Sequence, residues 1–180
     1  PYPVQEVCQQ SGKFFPNSTA IKAGGDRRQE KQLLDAAGVA NAGYRIITNE
    51  SDFYAAISAL GLPIVLKSAL AGYDGKGQWR LKTAEDAAAT WTDIAAFMAG
   101  AEHTLPQAIV AEQFIRFDRE VSLVGARNAK GETVVYPLTE NHHVNGVLSV
   151  SMALPAPADL QQQAKQMFDA VAAKLDYVGV

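Results

Sequence analysis

The sequence predicts an α+β fold in two lobes, and three observations carry that reading. Residues 26–113 alternate helical and strand-like patterns; three strand candidates with glycine turns follow from Glu120; one amphipathic helix then runs from Pro157. The chain has 180 residues, 48% apolar and 19% charged, which is globular composition with room for one ordinary domain or two small ones.

The first two dozen residues have weak periodicity and read as connection. Asp26, with Gln29 three places on, can cap a helix that Gly38 ends. Tyr44 to Thr48 is a short strand. Phe53, Ala56, Ile57 and Leu60 share one face of a helix over Ser51 to Leu60, with Gly61 after it. Pro63 to Lys67 is a buried strand, and Gln78 to Lys82 is another. Thr83 pairs with Asp86 as a capping signal before Ala87, Trp91, Ile94 and Met98, which recur at helical spacing up to Gly100. Ala108 to Gln113 returns to strand. Glu120 to Arg127, Thr133 to Leu138 and Val147 to Ala153 are the three later strands, with Lys130-Gly131 and Asn145-Gly146 in the turns between them. Leu160, Ala164, Met167, Phe168, Val171 and Leu175 form the apolar face of the last helix. Tyr177 to Val180 then begins another strand, so a continuation of the chain is expected.

A net charge of -3 and a pI near 5.6 argue against a general nucleic-acid binder, which would cluster Lys and Arg. No apolar run approaches the ~18 residues of a membrane span, and no signal peptide opens the sequence. A cytoplasmic setting without membrane or nucleic-acid partners is expected. Cys8, the single cysteine, can form neither an internal disulfide nor a cysteine zinc site. Asn17-Ser18-Thr19 matches a glycosylation acceptor, which means little without a secretory signal.

The segment Gly72-Tyr73-Asp74-Gly75-Lys76-Gly77-Gln78 lies between two strands. Its glycines let the backbone turn tightly and bring N–H groups to an anion, and Lys76 adds charge at the tip. A Walker A loop or a dinucleotide fingerprint would open a helix, and this segment opens a strand. It reads either as a flap over phosphates or as a flexible hairpin loop. Lys67 ends a strand just before it, placed to face the same phosphate or to snorkel to solvent. Glu112-Gln113 ends the strand that passes between the lobes, as a base-binding crossover or as two solvated polar groups. Glu120 shares a strand face with Ser122 and Val124, where it can accept from ribose hydroxyls or stay wet. His142 and His143 would point to opposite faces of a strand, so at most one serves any site, and no metal set is expected within the chain.

Together these motifs place the sequence close to the ATP-grasp ligases. Asp26-Arg27, Lys31-Gln32-Leu33, Ile64 to Lys67, Gly72 to Gln78, Gln78 to Leu81 and Val110 to Gln113 stand in family order. Glu120 to Arg127, Tyr136 to Asn141 and Tyr177 to Val180 follow them. The series resembles the 5-(carboxyamino)imidazole ribonucleotide synthases of bacterial purine biosynthesis from about Phe15 to Val180. The Gly72 to Gln78 and Tyr136 to Asn141 strings are the most specific to that family.

The resemblance implies an ATP-grasp fold truncated at both ends. Residues 1–25 would be a remnant of an amino-terminal domain and its linker. Residues 26–113 would form the small lobe with its flap, and 114–180 the first part of an antiparallel-sheet lobe. It implies that ATP phosphorylates bicarbonate to carboxyphosphate, whose carboxyl group passes to the amine of 5-aminoimidazole ribonucleotide. Arg27 and Lys67 match nucleotide-binding positions, and Gly72, Tyr73, Asp74, Gly75, Lys76, Gly77 and Gln78 match the flap. Glu112, Gln113, Phe114 and Ile115 match the adenine segment, Glu120 the ribose acid, and His143 a further binding position. Tyr73, Asp74 and Lys76 also fall where the family handles bicarbonate and ribonucleotide, which makes them the candidate catalytic residues.

The departures carry weight too. Ala71 stands where the family commonly has glycine, and Lys76 where it commonly has arginine, losing a planar fork. The resemblance places the Mg2+ ligands beyond residue 180 and implies a homodimeric parent. The alternatives are another ATP-grasp carboxylate–amine ligase, or a nucleotide-binding or structural domain without catalysis. On this reading the chain alone shows no bicarbonate- and ribonucleotide-dependent ATP hydrolysis; measurable turnover in a coupled ADP assay would overturn it.

Overall fold

Local sequence signals shape most of the elements, and tertiary partners decide the rest. The computed structural model describes residues 10, 15–70, 77–100, 107–144, 147–153 and 155–180. The chain divides into two units: residues 25–31 with 41–116, and residues 1–24 with 32–40 and 117–180. No helix among the described residues is long and apolar enough to cross a membrane.

In the first unit, α2 (Arg27–Ala36) begins where Asp26 accepts the Arg28 N–H at 2.9 Å. β1 (Tyr44–Ile47) leads to α3 (Glu50–Leu60), which is capped by the Asn49 side chain and closed by Gly61. β2 (Ile64–Ser68) and β3 (Gln78–Leu81) flank the glycine-rich segment, and α4 (Ala87–Ala99) precedes β4 (Ile109–Gln113). The helix α4 starts four residues after Thr83. Thr83 and Asp86 bond each other at 2.9 Å, and neither side chain caps the helix.

The four strands form an antiparallel sheet in the order β1-β4-β2-β3. One face packs Ile64, Leu66, Leu81, Ile109 and Ala111 against Phe53 and Ala56 of α3 and Ala87 and Ile94 of α4. Phe53 stacks obliquely on Trp91 at 5.4 Å, and Trp79 meets Phe97 edge-on at 5.3 Å. Period-two alternation turns Lys67, Val110, Glu112 and Tyr44 to the other face. That face carries the candidate site.

The second unit opens with a helix that periodicity did not announce, α1 (Ser18–Gly25). Asn17 makes it: its Oδ1 accepts the Ala20 N–H at 2.9 Å, while its Nδ2 donates to the Leu175 carbonyl at 2.7 Å. An amide committed at both ends is a cap, which accounts for Asn17 without glycosylation. The expected single strand Glu120 to Arg127 is two strands in different sheets. β5 (Glu120–Ser122) pairs with β8 (Thr139–Val144), and β6 (Gly125–Arg127) pairs with β7 (Thr133–Val135). The expected strand Thr133 to Leu138 stops at Val135, two residues before Pro137, which has no N–H for the ladder. β9 (Val147–Ala153) completes the three-stranded sheet beside β8; the Asn145-Gly146 turn lies outside the described residues.

The last helix, α5 (Ala158–Lys174), repairs the break at Pro137. Gln161 accepts the Leu138 N–H at 2.8 Å and donates to the Tyr136 carbonyl at 3.1 Å. Its apolar face meets Val121, Leu123 and Leu138 of the sheets with Leu34 and Val39, around a cavity of about 410 Å³. At Gly125 a Cβ would lie 2.8 Å from the Phe168 ring, so only glycine admits the helix that closely. Tyr177 to Val180 makes one bridge, Gly179 to Arg127, rather than a full strand.

Gln161→Leu is expected to lower unfolding free energy by about 1–3 kcal/mol, because two backbone groups lose their partner. Urea titration of both forms checks it; an unchanged midpoint would show that water replaces the side chain.

Candidate functional site

Glu112 sits on the central strand β4, and its side chain is 12% exposed. Such a carboxylate needs cations, and two lysines supply them. Lys67 of β2 places its Nζ 3.1 Å from Glu112 Oε2, which follows from the register: Val65 faces Glu112, and Lys67 stands two residues along. Lys31 of α2 approaches the same oxygen at 3.6 Å and lies 5.9 Å from the Tyr44 ring centre. The solvated alternative fits Gln113 but not Glu112. Glu112 is buried and Lys67 is ion-paired, while Gln113 is exposed and reaches only the Leu60 carbonyl at 3.5 Å.

Arg27 lies one helical turn before Lys31, and its N–H donates to the Ala69 carbonyl at 2.9 Å, fixing the start of α2 against the end of β2. Asp26 holds this helix start through two-pronged bonds to Arg28 at 2.9 and 2.7 Å. Burial alone would raise the Asp26 carboxyl. The Arg28 hydrogen bonds and charge outweigh it and hold the carboxyl below its usual range.

The glycine-rich segment meets the sheet at Gly77, whose carbonyl accepts the Ser68 N–H at 2.7 Å. Gly77 has a φ of +76°, and a Cβ there would lie 2.8 Å from Ser68 Oγ. Gln78 is exposed and pairs with Lys67 across β2 and β3. Gly72, Tyr73, Asp74, Gly75 and Lys76 lie outside the described residues. After β4, Phe114 and Ile115 are 39% and 52% exposed, with the Phe114 N–H given to the Pro63 carbonyl at 3.3 Å.

The second unit carries a separate polar face. Glu120 faces Asn141 across β5 and β8, and Ser122 faces Thr139. Glu120 Oε1 lies 3.6 Å from His143 Nε2, which stands two residues beyond Asn141. Ser122 shares a hydrogen bond of 2.8 Å with Thr139, and Ser151 donates to Asn141 at 2.7 Å. Val124, expected on this face, lies past the end of β5. His142 points the other way, to Glu140 at 3.3 Å.

Sequence reasoning missed Lys31 as a site residue, although its four-residue spacing from Arg27 was a usable signal. It also missed β8, so the pairing of His143 with Glu120 was not visible. Strong polarity on both faces hides such a strand from periodicity.

A family model for the ATP-grasp domain matches residues 32–180. The chain is 61% identical over 180 residues to the N5-carboxyaminoimidazole ribonucleotide synthase of Vibrio vulnificus (strain CMCP6), covering all of this chain and 47% of that protein. Identity to the enzyme of the same name from Escherichia coli (strain K12) is 38% over 167 residues, covering 92% of this chain and 44% of that one. Among solved structures, the ADP complex of an N5-carboxyaminoimidazole ribonucleotide synthetase superposes with a TM-score of 0.83 at 31% identity, over 98% of this chain and 45% of that one. The chain thus spans about half the length of the curated relatives it matches.

Asp26→Asn keeps the cap and removes the charge, so it is expected to destabilise the protein at pH 7. A folded-state carboxyl held below 3.8 contributes stability above that value and loses it as pH falls through the lowered one. The gap between variant and parent in urea unfolding should therefore close on acidification below 3.8. A gap independent of pH would remove the ionic contribution.

Proposed function

The chain belongs to the ATP-grasp domain family, and from that membership we propose that it forms the ATP-binding part of a 5-(carboxyamino)imidazole ribonucleotide synthase. The observation that carries the proposal is the cationic cluster on one sheet face. Lys67 and Lys31 share Glu112, and Arg27 lies one turn away with no ion-pair partner among the described residues. Two lysines on one carboxylate leave an excess of positive charge, which suits phosphate. The names of the relatives support the reaction class.

In the proposed reaction a bicarbonate oxygen attacks the γ-phosphorus of ATP and ADP leaves. The amine of 5-aminoimidazole ribonucleotide then attacks the carboxyl carbon of carboxyphosphate, and phosphate leaves. Such chemistry needs positioning and charge neutralisation rather than a protein nucleophile. Lys67 and Arg27 hold the phosphates. The backbone of Glu112 to Ile115 takes the adenine edge, and Glu120 with His143 takes the ribose. Gly72 to Gln78 closes over the triphosphate and keeps water from carboxyphosphate. Tyr73, Asp74 and Lys76 handle bicarbonate and the ribonucleotide.

Magnesium would neutralise charge between the phosphates. Among the described residues no group of three or more His, Cys, Asp or Glu could hold it, and no step is drawn through it. A cytoplasmic, homodimeric parent completes the proposal.

Lys67→Ala is expected to weaken ATP binding to this chain at least about tenfold by titration calorimetry, since a charge-assisted contact is lost. An unchanged affinity would remove Lys67 from the site.

A further inference from the structure

Lys31 has no place in the nucleotide contacts proposed above, yet it is the most deeply buried cation of the site face. Its side chain is 9% exposed, against 27% for Lys67. Burying a lysine stem and its charge this far is costly unless the charge does something there. Its surroundings are specific: the Glu112 carboxylate at 3.6 Å on one side and the Tyr44 ring at 5.9 Å on the other. Tyr44 and Glu112 face each other across β1 and β4, so strand register itself builds the pocket for the ammonium group.

We infer that Lys31 is a positioning residue: it holds the Glu112 charge so that Lys67 can leave it for a phosphate. The inference rests on Lys67 being a nucleotide ligand, and the physical argument is one of charge balance. Lys67 cannot serve two anions at full strength. When a phosphate draws it away, a carboxylate 12% exposed would be left without its nearest cation, at a cost charged against binding. Lys31 stands close to the same oxygen, 0.5 Å further out than Lys67 by the difference of 3.6 and 3.1 Å, and can close that gap. The more exposed lysine is then the mobile one, and the buried lysine the one that stays.

The test is a cycle of Lys31→Met and Glu112→Gln in this 180-residue chain, with ADP as the probe. Lys31→Met alone should weaken ADP binding about tenfold, because Glu112 then competes for Lys67. In the Glu112→Gln background the same change should alter affinity less than about twofold, since no charge remains to be held. Lys31→Arg should restore most of the affinity. Equal losses in both backgrounds would overturn the inference, and so would no loss in either. A second readout needs no nucleotide. Acetylation of Lys67 by acetic anhydride, followed by mass spectrometry, should slow about threefold in Lys31→Met and regain its rate in the double variant. Failure of the parent chain to bind ADP would sink the proposed function, while the labelling result would still decide for or against the coupling.

Discussion

A single buried carboxylate organises the first unit. Glu112 lies on an inner strand, paired on both sides, in a sheet whose opposite face is a packed apolar core. Burial there fixes what may stand around it: a cation must come from β2, another from α2, and an aromatic face from β1. The start of α2 is correspondingly tied down, by the Arg27 N–H to the Ala69 carbonyl and by the Asp26–Arg28 pair. The arrangement is a folding constraint in itself, since a misregistered β2 would leave Glu112 without Lys67.

The two units divide their chemistry by sign. The first brings Lys67 of β2 and Lys31 of α2 to one carboxylate, with Arg27 one helical turn before Lys31, so positive charge exceeds negative. The second collects Glu120, Ser122, Thr139, Asn141, His143 and Ser151, a face rich in groups that accept and exchange hydrogen bonds. The second face is produced by strand alternation over three or four residues, so short strands suffice there.

Where sequence and structure agree, the signal was local. The core residues Phe53, Leu66 and Ile94 announce themselves by spacing, and Gly38, Gly61 and Gly100 stand just beyond the helices they follow. Where they part, the cause lies far along the chain. The helix at Ser18 depends on Asn17, which also bonds a carbonyl 158 residues away. The strand at Thr139 has no apolar stripe and exists through pairing on both sides. The run from Glu120 splits because of a proline in its partner. Lys67 and Glu112 were legible as candidates because each stands near the end of a strand, whereas their mutual contact required the register of β2 on β4. Lys31 read as a helix residue because its spacing from Arg27 could mark it as a neighbour but not show that its ammonium group meets Glu112 and Tyr44.

Gln161 shows what such a long-range repair implies for assembly. The pairings on either side of Pro137 differ in register by one residue: Ser122 meets Thr139, but Gly125 meets Val135. The β6–β7 side ends with the Tyr136 N–H on the Val124 carbonyl at 2.9 Å, and the β5–β8 side begins at Thr139. Between them, the Leu138 N–H and the Tyr136 carbonyl are bonded by a side chain of α5, 23 and 25 residues further along. The two small sheets are thus joined through a helix acting as a splint. Their cooperativity is that of a three-part joint rather than of one continuous ladder.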